Sequence, residues 1–166
     1  MAAAIARRRS ELPFGDFFGE RTVLVPVPRS GLMKPGSLWP ASNIAQALVE
    51  HALGWRVAPV LRRRQAVRKS AFAEPGDRPR PEEHRLSLSV ERALGMAGDI
   101  LLVDDIVTRG STFLGAASRL AQDFPGVKIR AFAVLRTMGL QPEIEQILAP
   151  CRGRPFLVGD RADREP

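Results

Sequence analysis

ILLVDDIVTRGST, residues Ile100 to Thr112, is the stretch that decides how this chain is read. It opens on aliphatic residues with the composition of a buried strand. Two adjacent carboxylates, Asp104 and Asp105, then break the apolar run. Buried acids are unfavourable unless they have partners. Adjacent side chains on a strand face opposite ways, so these two are expected to do different jobs. The turn that follows, Thr108-Arg109-Gly110-Ser111-Thr112, offers hydroxyls, a glycine that permits close approach, and the free N–H groups of a helix start. Carboxylates that accept from a diol therefore lie beside a turn that donates to an anion. A sugar phosphate has both groups.

Working outward, Thr112 to Asp123 reads as an amphipathic helix with Leu114, Ala117 and Leu120 or Ala121 inward. Val127 to Leu135 reads as a strand, Arg136 to Gly139 as a turn, Glu143 to Leu148 as a short helix and Phe156 to Val158 as a short strand. Upstream, Thr22 to Val27 is a short β-branched run ending in the turn Pro28-Arg29-Ser30-Gly31. A loop with Pro35, Gly36 and Pro40 leads to Ser42, a good N-cap for a helix over Asn43 to Leu53 that Gly54 closes. Arg56 to Leu61 reads as a second strand. Arg62 to about Pro81 is Arg-rich and holds three more prolines and a glycine, poor material for helix or strand, so it reads as a long loop, either functional or disordered. Glu82 to Leu88 returns to the body as a short helix or an extended segment. Residues 1 to 20 read as a polar lead-in.

This order predicts an α/β fold, with a mostly parallel sheet flanked by helices. Ligands of such folds bind beyond the carboxyl ends of the strands. With 166 residues the chain suits one domain, 1–166, with a core over about 20–136. No run of about 18 uncharged apolar residues exists, so no membrane partner is expected and a cytoplasmic setting is. Cys151 is the lone cysteine, which excludes an internal disulfide and a Cys-based zinc site. His51 and His84 stand apart, without metal-ligand spacing. The net charge of +7 suits an anionic partner, either a small phosphorylated substrate or nucleic acid. Much of the positive charge falls between Arg56 and Arg92, including Arg62, Arg63, Arg64, Arg68, Lys69, Arg78, Arg80 and Arg85. With no Tyr and few Phe near these residues, stacking on single strands has little support.

The segment Leu101 to Thr112 resembles the phosphoribosyl-pyrophosphate motif of type I phosphoribosyltransferases: an apolar strand, two acids, then a T-x-G-x-T-like loop. Residues 22 to 138 are similar to ComF-type phosphoribosyltransferase domains, through VPVP near the start, a following helix with Asn and Gln, and an Arg-rich segment containing Lys69-Ser70. The chain carries no Cys-rich zinc element of the kind many ComF proteins have. The resemblance implies the type I phosphoribosyltransferase fold, with a small hood formed by the N-terminal lead-in and about 137–160. It implies that Asp104 and Asp105 hold the ribose hydroxyls. The backbone and side chains of Ile106, Val107, Thr108, Arg109, Gly110, Ser111 and Thr112 would bind substrate, the last five around the 5′-phosphate. Arg29 and Ser30 fall in the family's pyrophosphate loop, where a strained, often cis, peptide is typical. The basic segment matches its flexible loop, with Arg63, Arg64, Arg68 and Lys69 as candidates for neutralising the leaving pyrophosphate. Asp104, Asp105, Arg29 and Lys69 are thus the catalytic candidates. Mg2+ would be held mostly by substrate and water, with Asp104 and Asp105 touching it indirectly. The implied ligand is phosphoribosyl pyrophosphate or a nucleoside monophosphate, and the implied reaction is transfer to a nitrogenous acceptor set by the hood, where Phe156 and Leu157 lie. Dimers are common in the family. A second expectation keeps the same site for sensing the metabolite, with control of nucleic acid as the output.

Overall fold

The computed structural model describes residues 1–68, 78–91, 98–137 and 149–165. Its centre is a four-stranded, wholly parallel sheet in the order β2-β1-β5-β6, made of β1 (Val23–Pro26), β2 (Arg56–Val57), β5 (Ile100–Val107) and β6 (Ile129–Arg136). The α/β expectation is met, and the arrangement is compatible with a type I phosphoribosyltransferase fold. β1 and the first four residues of β5 are entirely buried. A parallel strand covered on both faces must be apolar throughout, and these are.

Two cores lie on the two faces of the sheet. On one face, Val23, Val25, Ile100 and Leu102 meet Phe113, Ala116 and Leu120 of α4 (Ser111–Asp123). On the other, Leu24, Leu101 and Val103 meet Ala45 and Leu48 of α2 (Pro40–Glu50). The chain's first residues belong to this second core rather than to a polar lead-in. Ala2 of α1 (Ala2–Arg7) is buried, and Phe18 packs on Phe132 with ring centroids 5.5 Å apart. The Arg and Glu residues of residues 1–20 hide an apolar stripe whose periodicity is interrupted by two 3-10 turns.

Several boundaries differ from the sequence reading. α2 starts at Pro40, before Ser42, and no side chain caps it. Proline needs no N–H partner in the first turn, and the Trp39 carbonyl accepts from the amides of Ser42 and Asn43, each at 3.1 Å. The helix ends at Glu50, and Ala52, with φ 57°, makes the left-handed turn expected of Gly54. The strand expected over 56–61 is two strands. Pro59 has no N–H to give a ladder, and the chain turns there into β3 (Leu61–Arg63), which pairs antiparallel with β4 (Leu88–Val90). Arg62 and Arg63 are therefore strand residues, not loop. Between them in sequence lies α3 (Pro81–Leu86), packed on α4. β6 runs on through Arg136, where a turn was expected. At the end of the chain, β7 (Arg154–Val158) pairs with β8 (Arg161–Glu165) as an antiparallel hairpin. β8 was not anticipated, because Arg, Asp and Glu dominate it. The helix expected over 143–148 lies outside the described residues.

Candidate functional site

The register of the sheet brings two turns together. Pro26 of β1 lies beside Val103 of β5, and the Val27 amide donates to the Val103 carbonyl at 2.9 Å. Both strands run the same way, so Pro28–Ser30 leaves the sheet next to Asp104 and Asp105. This is the carboxyl end, where parallel sheets bind ligands.

Strand alternation separates the two acids. Asp104 shares a face with Ile100 and Leu102, on the α4 side; Asp105 shares the α2 face with Leu101 and Val103. Each is half-buried. The Asp104 carboxylate accepts from the Asp105 amide at 3.0 Å, and that of Asp105 from the Ile106 amide at 2.9 Å. Burial is the main cause that pushes the Asp104 carboxyl up to about 8, and the Asp105 charge adds to it. Near neutrality Asp104 therefore holds a proton until a cation or a donor approaches. Among the described residues no three His, Cys, Asp or Glu side chains gather as a metal cage.

Past the acids, Ile106 is exposed and Val107 half-buried. Thr108, Ser111 and Thr112 are half-buried and Arg109 is exposed. Gly110 is the N-cap of α4, with φ +89°. A Cβ on it would stand 2.6 Å from Cβ of Pro155 in β7, so the left-handed turn and the hairpin packed on it both call for glycine here. No side chain caps α4 and no acid sits in its first turn, which leaves first-turn amides available to an anion. A pocket opens against this turn. It is lined by Thr108, Arg109 and Ser111, by Arg78 and Arg80 at the entry to α3, and by Arg161 of β8.

Arg29 is exposed and donates from Nη1 to the Leu38 carbonyl at 3.1 Å. The loop behind it is pinned from two sides. The Trp39 indole donates to the Val27 carbonyl at 2.8 Å. Arg63 donates from Nε to the Arg29 carbonyl at 3.1 Å, from Nη2 to Pro28 at 3.4 Å, and from Nη1 to Ser87 Oγ at 2.5 Å. Arg63 is only 8% exposed. Burial lowers its guanidinium to about 10 even though Asp104 pulls the other way. It thus buttresses the loop from beneath, with each of its three nitrogens donating one hydrogen bond. The Ser30 carbonyl accepts from the Val67 amide at 2.8 Å, so the start of the basic segment lies against the same loop. Arg64 and Arg68 are exposed there; Lys69 lies outside the described residues. Among those residues no peptide is cis and positive φ outside glycine occurs only at Ala52, so the strained peptide implied for 28–31 is not present.

Of the residues expected to form the hood, Phe156 is half-buried and Leu157 exposed in β7; the hairpin packs on α4 and its Pro155 on Gly110, at the turn into that helix. Residues 138–148 lie outside the described residues. Cys151 is half-buried and meets a guanidinium nitrogen of Arg136.

The placement of four residues escaped the sequence reading. Arg161 sits in a segment too charged to look like a strand. Arg78 and Arg80 were seen only as members of a basic run; the Arg78-Pro79-Arg80-Pro81 pattern, with proline at the first helical position, was the available signal. His84 is 2% exposed, with neither ring nitrogen hydrogen-bonded. Burial, and then the Arg63 charge, lower it to about 4, so it is neutral. Gly115 of α4 explains its depth: a Cβ there would stand 2.6 Å from His84 Cβ and 2.5 Å from the Pro81 carbonyl.

No family model matches the chain, and no curated protein matches it. Among the described residues no helix is long and apolar enough to cross a membrane.

Proposed function

We propose that this protein binds phosphoribosyl pyrophosphate and transfers its ribose phosphate to a nitrogenous acceptor. One observation carries the reading. Two carboxylates stand in the C-terminal half of the central parallel strand, and a hydroxyl-bearing turn leads from that strand into an uncapped helix N-terminus. Diol recognition and phosphate recognition are thereby joined by a few residues of chain. The resemblance of Leu101–Thr112 to the type I phosphoribosyltransferase motif supports the same ligand.

In this reading Asp104 and Asp105 accept from the ribose hydroxyls, one from each face of β5. Thr108, Ser111, Thr112 and the first amides of α4 hold the 5′-phosphate. Arg29, beside the acids, faces the pyrophosphate. The bond from ribose C1 to pyrophosphate breaks as that from C1 to the acceptor nitrogen forms, and pyrophosphate leaves with the electron pair. Charge neutralisation and positioning carry most of the acceleration. Mg2+ would neutralise the pyrophosphate. The two acids fit it as indirect partners: they lie on opposite faces of β5, and among the described residues no third ligand joins them, so the substrate's own oxygens would complete its shell.

Calorimetric titration with phosphoribosyl pyrophosphate tests the reading. Magnesium-dependent binding is expected, lost in Asp104→Ala/Asp105→Ala; absence of binding by the unaltered protein sinks it. Release of pyrophosphate upon adding nitrogenous bases is expected of a transferase. Binding without release would leave the sensor reading, which the uncompensated arginines near the turn favour.

A further inference from the structure

Arg63 departs from the segment it belongs to. Arg62, Arg64 and Arg68 are exposed around it, whereas Arg63 is buried in β3. Burying a guanidinium is unfavourable unless acceptors meet it. Two of its three acceptors are consecutive carbonyls of the loop after β1, those of Pro28 and Arg29. The third is Oγ of Ser87, the residue before β4. Ser87 is itself joined to the end of β3, since its carbonyl accepts from the Arg64 amide at 2.8 Å. The next loop carbonyl, that of Ser30, accepts from the Val67 amide at 2.8 Å. Three successive carbonyls are thus held from the β3 side, two by one side chain and one by the backbone that leaves the strand. An ordinary surface turn leaves such groups to water. The same guanidinium lies near enough to Asp104 for the two charges to act on each other.

We propose that Arg63 is a positioning residue: it fixes the backbone of Pro28–Ser30 to the β3–β4 hairpin, so that the loop carrying Arg29 and the basic segment that begins at Arg64 meet the pyrophosphate end of the ligand as one preformed unit. This rests on the reading above, from which it takes the pyrophosphate group.

The influence of Arg63 runs through the backbone it holds. Arg29 is exposed and has its own tie to the Leu38 carbonyl, so where its side chain can reach depends on how the peptides around it are turned. Arg63 sets two of those peptides. A loop ordered before the ligand arrives avoids the cost of ordering it on binding, and small displacements of a positioning group slow a transfer step. The planar fork suits this task, because it spans acceptors on two separate segments at fixed angles. A purely structural arginine would instead support every part of the ligand site alike.

The test therefore compares two probes on the full chain: pyrophosphate with magnesium, and ribose 5-phosphate, which has the diol and the 5′-phosphate but nothing for the loop to meet. Hydrogen exchange of the Val67 amide adds a readout without ligand. Arg63→Lys keeps the charge and gives up the fork; Ser87→Ala keeps Arg63 and removes one anchor. Arg63→Lys should bind pyrophosphate about tenfold more weakly, and Ser87→Ala should do so by less. Ribose 5-phosphate should bind both variants as it binds the unaltered protein. The Val67 amide should exchange faster in both, while Leu101 to Val103 keep their protection. Should Arg63→Lys not fold, Ser87→Ala decides by the same measurements. Equal losses for the two probes overturn the proposal, as does no loss for either, and as does an unchanged Val67 exchange rate. The two readings fail distinguishably. An unaltered protein that binds neither probe removes the transferase reading and this role with it. One that binds both, with variants that lose neither preferentially, removes this role alone.

Discussion

Arginine is held in two opposite ways in this chain. Arg63 is buried, and its Nε, Nη1 and Nη2 donate to Arg29, Ser87 and Pro28. Arg78, Arg109 and Arg161 border an open pocket with no internal acceptor among the described residues. The side chain is the same, and the difference lies in which acceptors the fold supplies. Where carbonyls are waiting, as at the end of β1, the guanidinium becomes a structural tie. Where the surrounding groups are hydroxyls and other guanidinium groups, it finds no acceptor among the described residues. A basic run in a sequence therefore mixes two kinds of residue that charge alone does not distinguish.

The comparison breaks most sharply at Arg63. Arg63→Met leaves the Pro28 and Arg29 carbonyls and Ser87 without their donor, and about 4 kcal/mol of stability should be lost, read as a lower urea midpoint with an unchanged slope. Arg63→Lys should recover only part of it, because an ammonium cannot span three acceptors in a plane. Nearly as large is the acid response of the buried neighbour. His84 titrates at about 4 in the folded chain and near 6.5 when unfolded, so the unfolded chain binds the proton first. Its effect on stability is nil above about pH 6.5. As pH falls toward 4, about 3 kcal/mol should be lost. His84→Leu should flatten that slope in melts run from pH 7 to 4; a slope unchanged by the substitution would put the acid sensitivity elsewhere. Gly110→Ala should cost about 2 kcal/mol, from positive φ and the clash with Pro155 together, and chemical denaturation measures it. Smallest is the effect of Arg78→Gln/Arg161→Gln on stability: within about 0.5 kcal/mol, or slightly stabilising as repulsion is relieved. A double variant that melts much lower would show that these arginines are ties of the Arg63 kind.

The sheet was legible because its signals are local. TVLVPV and ILLVDDIV are apolar at every buried position, and only a parallel strand covered on both faces needs that. The acids and the turn after them were legible for the same reason: they are contiguous with β5. Arg63 was misassigned because its meaning depends on β3 pairing with β4 and on the carbonyls of a loop far away in sequence. Arg161 went unnoticed because hairpin pairing, not side-chain pattern, makes β8 a strand. The N-terminal turns were read as polar because an apolar stripe broken by 3-10 geometry has no helical period to detect.

The pairing of β1 with β5 also governs how the chain assembles. Val23 finds its neighbour Ile100 only after α2, the β3–β4 hairpin and α3 have been traversed. Closing so long a loop is entropically unfavourable and slows folding. β1 has only the two-residue β2 on its other side, so little of the sheet can persist before β5 docks. The strand that carries Asp104 and Asp105 is then the piece on which both β1 and β6 depend for a partner. Molecules in which β5 has not docked on β1 would lack the candidate site altogether.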